Sequence, residues 1–272
     1  MNKSLIAAAI GCALLVPAIN VFAADEPASP WTVTTNIYAV SDNYFRGLTQ
    51  TWHKPAIQGG VDFVHADGWY AGLWGSNVSS NQFPGGGVEF DYYGGYNGKF
   101  NDDFSWTAGG HAYDYPGANF NQSNPVGAGQ SFNSFEVNAG LSWKFLGVKY
   151  SRFVTDWFGV NKKTGYPDDS TGTDYLEFNL AYEFEPSYTL NVHAGRTTVA
   201  TTTTAHNSLD YTDYLLGLTR TFTGGWVASL AWTKAIYDDT AWYKPTVSFN
   251  NPASTITDPG AGKLILSVGR VF

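Results

Sequence analysis

Phe135-Glu136-Val137-Asn138-Ala139-Gly140-Leu141-Ser142-Trp143 carries apolar side chains at its odd positions and polar or small ones at its even positions. Successive side chains of an extended strand point to opposite faces, so this period of two makes a ribbon with one greasy and one hydrophilic side. The pattern returns in Leu176, Phe178, Leu180, Tyr182 and Phe184 against Glu177, Asn179, Ala181 and Glu183. It returns again in Trp226, Ala228, Leu230 and Trp232 against Val227, Ser229, Ala231 and Thr233, and in Val88, Phe90 and Tyr92 against Glu89 and Asp91. Each segment is about ten residues long, the length a tilted strand needs to cross the hydrocarbon of a bilayer.

Working outward from these segments places about twelve strands, near 31–40, 55–65, 68–78, 88–98, 103–114, 133–143, 146–155, 174–184, 188–197, 210–221, 225–235 and 262–272. The links between them alternate in length. Those near Ala66-Asp67, 98–102, Lys144-Phe145, 185–187 and 222–224 are short, whereas the others extend as far as 115–132 and 236–261. Short turns at one end and long loops at the other are the layout of an up-and-down transmembrane β-barrel, and a soluble sandwich has no reason to adopt it. The expected fold is therefore all-β: an antiparallel barrel over residues 24–272, behind a signal peptide at 1–23.

The signal peptide is read from Lys3, the apolar run from Leu5 to Ile19, and the small-residue ending Val21-Phe22-Ala23. Pro17 and Asn20 interrupt that run, which is too short to remain as a membrane helix. Cys12 follows Gly11 and invites comparison with a lipoprotein cleavage site, but the apolar core continues past it through Val16. Its removal with the leader leaves a chain without cysteine, which argues against a small disulfide-dense secreted domain.

Composition agrees with a two-faced sheet. Charged residues are 14% of the chain against a usual share of about 25%, while aromatics reach 17%. The net charge of -8 becomes more negative once Lys3 is removed, and no basic cluster offers a nucleic-acid footprint. On the greasy faces the cations sit near strand ends: Arg152, Arg196 and Lys234 at the long-loop end, Arg220 and Arg270 at the short-turn end. A cation at the bilayer midplane costs about 2 to 4 kcal/mol and about 0 to 1 near an interface, so this placement suits lipid, with the loop-end members near lipid or lipopolysaccharide phosphates.

The segment Ser41-Asp42-Asn43-Tyr44-Phe45-Arg46-Gly47-Leu48-Thr49-Gln50-Thr51, then Lys54 to Phe63, Gly68 to Val78 and Glu89 to Tyr96, resembles the opening signature of the TorF porin family. The likeness is strongest over the first hundred residues and continues in layout. It implies a barrel in the outer membrane of a Gram-negative bacterium, with pore activity. The final strand, which ends on Phe272, resembles those by which such barrels meet the barrel-assembly machinery.

Strand parity then nominates lumen-lining residues: Asp62, Glu89, Asp91, Glu136, Glu177, Glu183 and Asp213, opposed chiefly by Lys149. Arg46, flanked by aromatics above the first strand, is expected either to fold inward over the lumen or to pair with a neighbouring carboxylate. An acidic lining sets the sign of permeant ions, so the expected function is passive diffusion of small solutes with a cation preference or none. A closed structural or surface-interaction barrel is the alternative. A surface hydrolase built on His53 or His206 with Asp168, Asp169, Asp238 or Asp239 is a minor one, since no local pattern fixes a catalytic geometry.

His65, His111 and His193 read as polar lining. The acidic stretch Asp168 to Asp174 misses the EF-hand spacing and reads as a solvated turn. Gly59-Gly60, Gly94-Gly95 and Gly109-Gly110 precede no helix and read as relief of crowding in a curved sheet. No enzyme activity, cofactor or metal ligand is expected, and the sequence carries no signature of a particular solute or oligomeric state.

Overall fold

The computed structural model describes residues 29–123, 126–237 and 258–272. The proposed leader with Cys12, and the loop residues Asp238 and Asp239, lie outside the described residues.

The strands, in chain order, are β1 (Trp31–Val40), β2 (Tyr44–Phe45), β3 (Leu48–Thr49), β4 (Ala56–His65), β5 (Trp69–Asn77), β6 (Val88–Lys99) and β7 (Phe104–Asp114). They continue with β8 (Ser134–Trp143), β9 (Leu146–Phe153), β10 (Asp174–Glu185), β11 (Tyr188–Thr198), β12 (Tyr211–Thr221), β13 (Trp226–Tyr237) and β14 (Lys263–Val271). Twelve of them, all but β2 and β3, pair antiparallel with their neighbours, and β1 closes the ring onto β14 through Asn36↔Val271 to Val40↔Ser267. Closure removes both sheet edges, which is how a sheet can stand in lipid without unpaired backbone groups.

The strand faces follow the sequence period. Phe135 is 38% exposed and the adjacent Glu136 only 2%, and the same alternation separates Phe90 from Asp91 and Leu230 from Ala231. The strands' large apolar side chains thus form an outward belt, with polar and small residues lining the inside. The belt's cations fall near the strand ends, where Arg220 lies over Tyr188 and Phe222, and Arg270 over Trp226 and Phe272.

Paired glycines thin the wall between β6 and β7, where Gly94 faces Gly110 and Gly95 faces Gly109. A Cβ on Gly109 would stand 2.5 Å from both the Gly94 carbonyl oxygen and the Tyr70 hydroxyl. The glycines there admit a tyrosine lying across the inner wall, as relief of crowding requires.

A second apolar region was not expected from strand patterning. Phe45, Leu48, Val78, Phe83, Tyr115, Phe120, Phe132, Trp157, Val160 and Leu209 are buried together at the loop end. They come from links 41–55, 78–87, 115–133, 154–173 and 199–210, so the long loops converge over the barrel mouth rather than standing apart in solvent. Rings stack within this cap, Phe83 on Tyr115 at 4.1 Å and Phe120 on Phe132 at 4.3 Å. Burial pushes the phenols of Tyr44 and Tyr166 above the ordinary tyrosine range, with Asp42 adding to the effect at Tyr44.

Candidate functional site

At the centre of the cap, β2 and β3 form a hairpin in which Tyr44 pairs with Thr49 and Phe45 with Leu48. Arg46 and Gly47 are the two turn residues, and both have positive φ, 46° and 76°. That is the requirement of the type I′ turn, whose twist suits a two-residue hairpin loop. Gly47 is needed twice over, since a Cβ there would also come within 2.6 Å of the Asp213 Cβ.

Asp42 ties down the hairpin base. It accepts from the Thr49 hydroxyl at 2.6 Å and the Thr51 hydroxyl at 2.8 Å, and lies 2.7 Å from His53 Nδ1. The hairpin leans inward from this anchor and carries Arg46 into the barrel.

There the Arg46 Nη2 donates to both Glu136 carboxylate oxygens, at 2.9 and 2.8 Å. Its guanidinium lies 4.0 Å from the Tyr175 ring centroid, 4.8 Å from Phe45 and 5.6 Å from Phe153. Register explains the arrangement. Glu136 on β8 sits directly opposite Phe153 on β9, and Tyr175 on β10 opposite Ser151 of β9, so carboxylate and rings share one patch of inner wall. The two expectations for Arg46 are therefore realised together: it folds inward, and it pairs with a carboxylate.

A connected network continues from this patch. The Tyr175 hydroxyl lies 2.8 Å from His193 Nε2 and 3.1 Å from each Asp213 oxygen. His193 Nδ1 is 2.7 Å from Asn179 Oδ1, Asn179 donates to Glu177 at 3.0 Å, and Lys149 pairs with Glu177 at 2.8 Å. On the other flank of Glu136, whose register partner on β7 is His111, His111 meets Asp91 at 3.0 Å, Tyr115 donates to Glu89 at 2.5 Å, and Tyr93 donates to Asp62 at 2.6 Å.

Of the residues nominated from sequence, Arg46, Glu136, Lys149, Glu177 and Asp213 thus line one cavity of about 140 Å³. Glu89 and Asp91 on β6 continue the same stretch of wall past His111, which is registered against Glu136, and Asp62 lies further round on β4. Glu183 stands apart: it is exposed near the short-turn end, opposite Thr189, and accepts from the Ser187 amide. A second cavity of about 70 Å³ reaches from His111 to Asn97, Trp106 and Ser142. Lys149 and Asn179 line both, and so stand at the junction between them.

Sequence reasoning passed over Tyr175 and Asn179 as functional groups, although Tyr175 sits at an inward parity position at the top of a strand. The loop carboxylates are engaged locally. Asp168 pairs with Lys162, Asp174 with Arg152 and Asp210 with Arg196, while His53 is joined to Asp42 rather than to Asp168 or Asp169. His206 is exposed at φ 62°. Among the described residues no group of three or more His, Cys, Asp or Glu is placed to hold a metal ion.

An outward apolar belt, a closed twelve-strand ring and a polar interior define a barrel of the porin type. The chain belongs to the family described as a bacterial protein of unknown function, Gcw_chp, whose model matches residues 24–270. No curated protein matches it.

Among solved structures the NanC porin is similar with a TM-score of 0.51 and 11% identity, over 87% of this chain and 98% of that one. The KdgM porin gives a TM-score of 0.49 and 10% identity over 89% and 98%, and OprD of Pseudomonas aeruginosa 0.40 and 13% over 91% and 68%. The likeness to NanC is one of fold, and identity this low carries no residue role across.

Proposed function

We propose that this protein is a non-enzymatic outer-membrane barrel passing small cations and small neutral solutes through a narrow lumen, with the β2–β3 hairpin as its constriction. The acidic interior behind an apolar belt carries this reading. Exposed Leu141, Leu216, Leu230, Leu264 and their neighbours surround the barrel far beyond the few hundred Å² of apolar patch a soluble monomer tolerates, and a bilayer is the solvent that suits them. Inside, six carboxylates, Asp62, Glu89, Asp91, Glu136, Glu177 and Asp213, face the lumen against the cations Arg46 and Lys149. Linings of this sign favour cations.

The TorF likeness of Ser41 to Tyr96 belongs to the same proposal. So do the expected partners: lipid, lipopolysaccharide, and the assembly machinery that would engage the final strand.

Planar-bilayer recording of the refolded protein in a salt gradient tests the reading. A reversal potential of the cation-selective sign is expected, and an anion preference would overturn the charge argument. One observation favours a second reading, a closed surface barrel: the aromatic cap over the loop end. Folded protein that never conducts would select it.

A further inference from the structure

We propose that the patch holding the Arg46 guanidinium is a binding site for organic cations, in particular guanidinium-bearing solutes, and that the hairpin tip occupies it in place of a ligand. The transported class rests on the channel reading above, whereas binding does not require one.

The wall of the site belongs to the barrel. Glu136, Phe153 and Tyr175 come from three consecutive strands, β8, β9 and β10, and their mutual placement follows from strand register rather than from the hairpin. Tyr175 is fixed independently of Arg46 by Asp213 and His193, and it lies so close to Gly195 that a Cβ there would stand 2.0 Å from the phenol oxygen. Withdrawal of the tip would therefore leave a formed site: a carboxylate beside aromatic faces. That combination suits a diffuse, weakly hydrated cation, since the ring quadrupoles attract it and the carboxylate accepts its N–H groups. An anion is disfavoured there, because Asp213 and Glu177 line the same cavity.

The present occupant fits imperfectly in two respects. Among the described residues Arg46 Nη1 is buried without a hydrogen-bond partner, although Nη2 makes two bonds to Glu136. Arg46 also takes a positive φ, which disfavours a residue other than glycine. A free guanidinium would bear neither penalty. Against it stands the tether, which presents Arg46 at a high effective concentration. The site should accordingly be masked in the native protein and unmasked when the tip loses its charge. The cavity of about 140 Å³ beside the tip has room for the body of a small solute.

Calorimetric titration of the full refolded barrel in detergent with methylguanidinium, at low ionic strength, tests this. Arg46→Ala should bind methylguanidinium at least tenfold more tightly than the native protein, and adding Glu136→Gln should remove that gain. The neutral analogue methylurea should bind none of them. Should Arg46→Ala not attain the heat-modifiable folded form, Arg46→Met keeps the apolar stem of the tip and takes its place.

Folded Arg46→Ala or Arg46→Met that binds no more tightly than native protein overturns the proposal. So does retained affinity after Glu136→Gln, or equal affinity for methylurea. A native barrel that fails to conduct leaves these titrations interpretable, so loss of the channel and loss of the site are separate results.

Discussion

At the turn end of the barrel the strands are joined by the short links 66–68, 100–103, 144–145, 186–187 and 222–225, and the interior carries an exposed carboxylate, Glu183, near the mouth. At the loop end, long links such as the 20 residues of 154–173 fold over the opening, and their aromatic side chains bury one another. The wall obeys a local rule that any ten residues reveal. The cap is made of contacts between links far apart in sequence, such as Phe83 with Phe132 or Phe45 with Phe158. The comparison teaches that one end of the lumen is shaped by strand pairing and the other by tertiary packing, so the two ends should respond differently to the same kind of change.

The largest expected effect comes from removing the element that joins cap to lumen. The Gln50 amide already donates to the Asn43 carbonyl at 2.7 Å and the Thr49 hydroxyl to Asp42 at 2.6 Å, so residues 44–48 can be replaced by a short glycine linker without moving the hairpin base. Single-channel conductance should rise severalfold while the protein keeps its heat-modifiable migration, because the twelve-strand ring does not depend on the hairpin for pairing. Unchanged conductance would place the seal in the outer aromatic packing instead.

Intermediate in size is a change in the wall behind the tip. Gly195→Ala puts a methyl group where the Tyr175 hydroxyl lies, forcing the ring away from Asp213, His193 and the Arg46 guanidinium. Overpacking of this kind costs about 1 to 3 kcal/mol, to be read from the urea midpoint of unfolding in detergent. Gly87→Ala is the internal reference in the loop region: its added methyl group would meet nothing within 4 Å, and the change should be close to neutral. Equal effects at the two glycines would show that the Tyr175 contacts contribute nothing.

How much of this was legible follows from the same division. The barrel strands begin and end within about two residues of their expected limits, because lipid outside and polar side chains inside enforce a strict period of two. Parity correctly turned Glu136, Glu177, His111 and His193 inward for the same reason. The hairpin was not legible as strands, since β2 and β3 are two residues each and their pattern, Phe45-Arg46-Gly47-Leu48, offers only a turn signal. Nor was the partner of Arg46: Glu136 lies 90 positions away, and their meeting depends on where a loop folds after the wall has closed. The cap was hidden because aromatic residues in a long link read equally well as exposed loop. Tyr175 could have been found, being an inward aromatic one residue into β10, two positions before Glu177.

The smallest effect is expected at the open end. Glu183→Gln removes a carboxylate that is exposed and, among the described residues, accepts from the Ser187 amide, so stability should stay within about 0.5 kcal/mol of native. Its charge still faces ions entering the mouth, and at about 0.01 M salt, where the Debye length is roughly 30 Å, the reversal potential should move slightly toward zero. At about 1 M, with a Debye length of roughly 3 Å, the shift should vanish. Glu177, paired with Lys149 and buried, has no such freedom, and its selectivity contribution should persist at both salts because its surroundings exclude the screening ions. A Glu183→Gln shift that survives high salt would mean that the turn end is as enclosed as the loop end, and the contrast between the two ends would fail.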